Sequence, residues 1–287
     1  MSIKIITDSG ADLPKEIVKQ YDIHVIPLFV YLGEEEFLDG ETLETDKLYN
    51  DMRNEKVYKT GQITPEVFKK VFLEYAQKNQ SCIYIAFSSG LSGTYQASHI
   101  AKAEVLEVYP EFNLDVIDTK CASLGFGLVV YKAAQMAKDG KSQKEIVEAV
   151  KLYSEHMVHI FTVDNLEYLY RGGRVSRTSA FIGGILNIKP ILTVDDGKLV
   201  PIEKVRGRKK SLKRLVELAE EKGINLENQV IAISHGDALQ EAEEVKNMMI
   251  EKFGCKDFII NTIGCAIGAH AGPGTIAMFF LDKELSL

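Results

Sequence analysis

Short apolar runs rich in valine and isoleucine alternate along the chain with longer stretches whose apolar positions recur at helical spacing. This alternation is the pattern of βαβ units around a parallel sheet, and it predicts an α/β fold. Ser2–Thr7 reads as the first strand, Pro14–Tyr21 as a helix entered through proline, and Ile23–Leu32 as one extended run. Thr64 caps a helix reaching Lys78, with Val67, Val71, Phe72 and Tyr75 on one stripe. A strand at Ser81–Phe87, a turn at Ser88–Thr94, a helix at Tyr95–Val108 and a strand at Leu114–Ile117 follow.

Cys121–Lys138 and Ser142–Ser154 are two helices in succession, the second opened by Ser142 and Glu145 at capping-box spacing. That break in the alternation places a boundary near His156. It predicts an N-terminal α/β domain with a parallel sheet over residues 1–156 and a C-terminal α/β domain over residues 157–287. In the second half a strand at Val158–Val163 is followed by Ile188–Val194 and Leu199–Val205, which flank Asp195-Asp196-Gly197, a hairpin turn signal. A mixed sheet is therefore expected there. Helices at Lys209–Lys222 and Ala238–Phe253 and strands at Gln229–Ser234, Phe258–Thr262 and Thr275–Leu281 complete the chain.

With 287 residues, 46% of them apolar, and a net charge of −7, the chain falls among globular proteins and outside the disordered, fibrous and disulfide-scaffold classes. Cys82, Cys121, Cys255 and Cys265 form no C-x-x-C pair, and no histidine stands at zinc spacing, so the expectation is free thiols in a cytoplasmic protein with no metal. The start of the chain lacks the features of a secretory signal. From Asn261 to Leu281 no residue is formally charged, but five glycine and proline residues between 264 and 274 favour a loop between short strands over a membrane-crossing helix.

The turn Ser88-Ser89-Gly90-Leu91-Ser92-Gly93-Thr94 joins a strand to a helix, so helix-start N–H groups and three hydroxyls should surround a ligand at the sheet's carboxyl edge. A serine-rich helix cap without a ligand explains the same residues. A nucleophile elbow is a further reading, with Ser92 and His270 as members of a serine-hydrolase triad, although Thr94 occupies the position where G-x-S-x-G requires glycine. Neither a Walker loop nor a Rossmann fingerprint occurs in a fitting context, so no ATP or NAD cofactor is expected. His270 lies among small residues, either solvated or approached closely by another group. Between Arg171 and Arg214 stand twelve basic residues against three acidic ones, which suggests a local anionic partner or a solvated helix face; nucleic acid is disfavoured by the acidic balance of the whole chain. Ser179–Val194, with Lys189 its one charge, is core or the wall of an apolar cavity.

Five motifs in this order, Thr7-Asp8-Ser9, Thr60-Gly61-Gln62, Ser88 to Thr94, Arg171-Gly172-Gly173-Arg174 and Gly268 to Gly274, resemble those of the DegV family across nearly the whole chain. The resemblance implies a fatty-acid-binding protein with two α/β domains and a lipid buried between them. It further implies the role of a FakB-type subunit of bacterial fatty acid kinase, non-catalytic itself, presenting the acyl carboxylate to a separate ATP-using kinase subunit. By matching position, Ser92, His270 and the Thr60-Gly61 pair would bind the carboxylate, with Gly61 standing where many relatives carry a hydroxyl. Arg174, with Arg171 and Arg206, would face the kinase subunit and the transferred phosphate. The resemblance implies neither nucleic-acid binding nor integral membrane association.

Overall fold

The computed structural model describes residues 3–176 and 187–285. Its first half contains β1 (Lys4–Asp8), α1 (Lys15–Gln20), β2 (His24–Ile26), β3 (Phe29–Leu32), β4 (Glu35–Leu38), α2 (Thr45–Arg53), β5 (Tyr58–Gly61) and α3 (Pro65–Gln77). There follow β6 (Cys82–Ala86), α4 (Thr94–Val108), β7 (Leu114–Asp118), α5 (Ser123–Lys138) and α6 (Gln143–Glu155). The strands β2-β1-β6-β7 form a parallel sheet in that order, and β4-β3-β5 form a separate antiparallel one. The expected single run from Ile23 to Leu32 is thus two strands in two sheets. Pro27, which has no N–H to donate, ends the pairing with β1, and the next N–H, that of Leu28, is taken by Ser9 Oγ at 3.0 Å.

The second half comprises β8 (Met157–Thr162), α7 (Glu167–Arg171), β9 (Ile188–Asp195), β10 (Lys198–Arg206), α8 (Arg208–Lys222), β11 (Val230–His235), α9 (Leu239–Phe253), β12 (Asp257–Thr262), α10 (Cys265–Ala271) and β13 (Ile276–Leu281). Its six strands run in the order β10-β9-β8-β13-β11-β12, with β11 and β12 parallel and the other neighbours antiparallel, so the sheet is mixed. At the β9–β10 hairpin Asp196 and Gly197 both take positive φ, 41° and 75°, the geometry that a two-residue turn in a right-twisted ribbon requires. The glycine-rich stretch expected as a loop instead contains α10. Its Ala266 and Ala269 are buried, and it packs on α2, where a Cβ at Gly268 would stand 2.6 Å from the Tyr49 hydroxyl oxygen. Among the described residues no helix is long and apolar enough to cross a membrane.

Between the parallel and mixed sheets lies α5. Eleven of its sixteen residues are buried, because it packs on β1 on one side and on β8, β11 and β13 on the other. Two glycines let it approach both. A Cβ at Gly127 would be 2.4 Å from the Ala11 carbonyl oxygen, and one at Gly125 would be 2.6 Å from His159 Nε2. One buried apolar cluster consequently runs from Ile83 and Ile85 through Phe126 to Phe161, Leu192 and Phe279.

Candidate functional site

The turn after β6 sends its hydroxyls in different directions. Ser88 Oγ donates to the Gly197 carbonyl in the β9–β10 hairpin (2.7 Å), and Ser89 Oγ donates to Asp118. Ser92 Oγ lies 2.9 Å from Thr94 Oγ1 and accepts the Thr94 N–H at 3.3 Å, so this hydroxyl occupies the helix-start N–H that could otherwise face an anion. Of these three serines, Ser92 lines the cavity that β5 and α10 also bound.

On the other side of the cavity, β5 and α10 bring Thr60 Oγ1 within 2.7 Å of His270 Nε2. The backbone of Gly172 packs against the Nδ1 side of that imidazole; a Cβ there would be 2.0 Å from His270 Nδ1. The Gly172 carbonyl accepts Arg174 Nη1 at 2.6 Å, while Arg174 Nε donates to the Leu91 carbonyl at 3.2 Å. Arg174 therefore ties the segment after α7 to the turn that carries Ser92. Burial, with the Arg174 guanidinium second, pushes the His270 pKa down to about 3, so the imidazole is neutral at physiological pH. Gly61 contributes no side chain, and a Cβ at this position would meet the Tyr31 ring at 3.0 Å. The Gln62 carboxamide occupies the space where Gly93 would otherwise carry a side chain.

Thr60, Gly61, Gln62, Ser92, Arg174 and His270 line one cavity of about 290 Å³. Apart from this polar cluster its wall is mainly apolar: Phe87 and Leu91 from the first half, Phe161, Leu169, Ile263, Ile267 and Phe279 from the second. Three polar wall residues went unnoticed in the sequence, His159, Ser123 and Thr275. His159 Nε2 accepts the Ala122 N–H at 3.1 Å and Nδ1 donates to the Met157 carbonyl at 3.0 Å, and complete burial holds its pKa down at about 4. A histidine inside the apolar strand Met157–Thr162 was the available signal. Ser123, at φ 52°, donates to Asp12, and nothing in its sequence context marks it.

The Thr7-Asp8-Ser9 motif holds the site together from outside. Asp39 Oδ1 accepts the Cys265 N–H at 2.7 Å at the start of α10, and Ser9 donates to Asp39 Oδ2 at 2.7 Å. Asp12 Oδ1 accepts the Gly264 N–H at 2.8 Å. Asp8 accepts the Tyr84 hydroxyl at 2.8 Å and the Phe87 N–H at 3.0 Å. Burial raises the pKa of all three carboxyls, that of Asp8 to about 6, against the opposing effect of these bonds. Among the described residues no cluster of His, Cys, Asp or Glu is arranged to hold a metal ion.

The hydrolase arrangement does not form: no hydrogen bond among the described residues joins Ser92 to His270, and the imidazole is committed to Thr60. Folding neutralises part of the basic run from Arg171 to Arg214. Arg214 pairs with Glu203 and Glu221, Arg208 with Glu241 and Asp164, and Lys189 with Asp164. Arg206 lies exposed at the end of β10 and lines neither the cavity nor the recess beside it, whereas Arg171 and Arg174 stand together. Arg177 and the Ser179–Leu186 part of the expected cavity wall lie outside the described residues; Val194 does line the cavity.

Two α/β layers around an internal cavity, apolar along most of its wall and carrying hydroxyl, imidazole and guanidinium groups, define an α/β ligand-cavity protein. The family model described as "Uncharacterised protein, DegV family" matches residues 2–283. A DegV domain-containing protein of Clostridium perfringens is 45% identical over 280 residues, 96% of each chain. Among solved structures, a fatty-acid-binding DegV family protein from Thermus thermophilus superposes with a TM-score of 0.89 at 26% identity, covering 97% of this chain and 99% of that one. A stearic acid-binding protein from Eubacterium ventriosum does so with a TM-score of 0.88 at 27% identity, covering 96% and 97%. The chain belongs to the DegV family.

Proposed function

We propose that this protein is a non-catalytic carrier that sequesters a long-chain fatty acid in the cavity between its halves, residues 1–156 and 157–287. On this reading Ser92, Thr60, His270 and the backbone of Gly61 receive the carboxylate. The observation that carries the proposal is the cavity itself, whose single wall combines a Thr60–His270 pair and a half-buried Arg174 with a mainly apolar remainder. A carboxylate removed from water needs convergent donors, and bonds to an ionised group are the strong kind. Each buried methylene adds ~0.8 kcal/mol, so some fourteen add on the order of 11 kcal/mol before association costs. Solved relatives that bind fatty acids, including stearic acid, support the same ligand class.

The finer reading is presentation to a separate kinase subunit, which transfers the terminal phosphoryl group of ATP to a carboxylate oxygen and releases ADP. The carrier supplies binding and positioning, and needs no cofactor of its own. Arg174 and Arg171 would face that partner. Native mass spectrometry of protein expressed in bacteria, followed by solvent extraction, should reveal one fatty acid per chain. A protein that is empty and refuses added stearate overturns the carrier reading. Formation of a hydroxylamine-trappable acyl phosphate from the loaded carrier, ATP and a fatty acid kinase catalytic subunit tests the second step, and no trapped product would leave a storage protein.

A further inference from the structure

Thr60 and Gln62 stand two positions apart across the end of β5, and both line the cavity, while a Cβ on Gly61 between them would point at the Tyr31 ring. The chain is fixed on either side of Gln62. Thr60 bonds to His270, and the Ile63 N–H donates at 3.3 Å to Thr94 Oγ1, the hydroxyl that meets Ser92. The Gln62 carboxamide itself lies against Gly93 and makes no hydrogen bond among the described residues. Its polar neighbours are engaged: Ser92 with Thr94, Thr60 with His270, and Arg174 through Nε and Nη1 with two carbonyls. Among the described residues of the cavity wall Gln62 alone is exposed, which places it where the cavity meets solvent.

We propose that Gln62 is a further carboxylate-binding residue, acting from the solvent side. Its Nε2 donates to the outer oxygen of the fatty acid carboxylate, while Ser92, Thr60 and His270 hold the inner one. A donor at the mouth replaces a bond to water and therefore adds little to affinity. Its effect is on orientation: held by a backbone pinned on both sides, the amide selects one rotation of the carboxylate and keeps the same oxygen facing out. The amide is neutral, so that oxygen keeps its charge, which an ion pair would offset. The inference rests on the reading of the cavity as a carboxylate site.

The test uses the full-length protein and Gln62→Met, a variant of similar side-chain length with no donor. In nitrogen-15-labelled wild type the Gln62 side-chain amide signal, identified by its absence from the variant, should move downfield on loading with stearate. Stearate affinity of the variant should stay within about threefold of wild type. With ATP and a fatty acid kinase catalytic subunit, a carboxylate oxygen bonds to the terminal phosphorus as the bond to ADP breaks. For that step kcat should fall about tenfold in the variant, at unchanged KM for the loaded carrier. An amide signal that ignores stearate in a protein that binds it overturns the proposal, whether or not the kinase turns over. A variant with wild-type kcat overturns it too, as does one that loses affinity and turnover in equal proportion. A wild-type protein that takes up no stearate overturns the carrier reading, and this proposal with it.

Discussion

Thr60 and His270 stand 210 positions apart in the chain, yet Oγ1 of one lies 2.7 Å from Nε2 of the other. The bond joins an edge strand of the small antiparallel sheet to the short helix that precedes β13, so it closes the polar part of the cavity between separate layers. Thr60→Val keeps the shape and deletes the hydroxyl, leaving the imidazole without its partner. Fatty acid affinity, read by displacement of a fluorescent acid, should fall about tenfold, and Thr60→Ser should restore most of it. Equal affinity in the valine variant would remove this pair from the binding site.

Ser92→Ala should weaken fatty acid binding by ~1–3 kcal/mol, because the carboxylate loses a donor. The same hydroxyl also accepts the Thr94 N–H at the start of α4, so a small fall in thermal stability should accompany it. A stability loss without any change in affinity would make Ser92 a cap and nothing more.

Two glycines beside the site are expected to respond differently to the same methyl group. In Gly93→Ala the new Cβ meets the far end of the Gln62 side chain, which can rotate away, so affinity should change less than about threefold. In Gly172→Ala it meets the His270 ring, which Thr60 holds in place, so the imidazole must leave its partner and affinity should fall by about tenfold or more. Calorimetric titration of both variants with stearate checks the ranking; the reverse order would show that His270 is free to move.

Asp39 is 5% exposed and accepts bonds from Ser9 and from the first turn of α10. Asp39→Ala leaves those donors unsatisfied and should cost roughly 2–4 kcal/mol in urea unfolding. Asp39→Asn retains an acceptor for the Cys265 N–H and should cost less. Identical losses for the two variants would show that the packing of the side chain, not its oxygen, stabilises this corner.

Burial holds His159 at about 4, below the ordinary histidine range, so the unfolded chain takes up its proton first as the pH falls. The stability due to neutral His159 is complete above about pH 6.5 and is lost as the pH drops toward 4. His159→Gln should therefore cost most at pH 7.5 and progressively less by pH 5, measured as the difference in unfolding free energy from the wild type. A difference independent of pH would mean that the native imidazole titrates normally.

The parts of this molecule that were legible in the sequence are those whose structure is decided locally. The β6–turn–α4 unit, the capping box at Ser142 and the positive-φ turn at Asp196-Gly197 each carry their own cause within a few residues. Ser92, Thr60, His270 and Arg174 could be singled out because hydroxyls, imidazole and guanidinium are conspicuous among glycines, and the structure brings all four to one cavity. What remained hidden depends on distant partners. The α10 helix has only seven residues, one of them Gly268, and lies between Gly264 and Gly272, too short to be stable by itself, and its first turn is held by Asp39, more than two hundred residues earlier. The strand β4 begins Glu35-Glu36, both exposed, so it lacks the apolar alternation by which strands are recognised. Ser123 takes a backbone conformation rare for serine, held through its bond to Asp12, and spacing conveys nothing of that.

The helix α5 belongs by sequence to one half and by packing to both, with Gly127 seated against Ala11 and Gly125 against His159. An isolated first half would present the far face of this helix to water, and an isolated second half would have its sheet uncovered where Phe161 and Phe279 now meet it. Neither half is thus a transferable module. Exchange between relatives by recombination near His156 would have to match the two faces of α5 at once, which binds the two sheets into a single heritable unit.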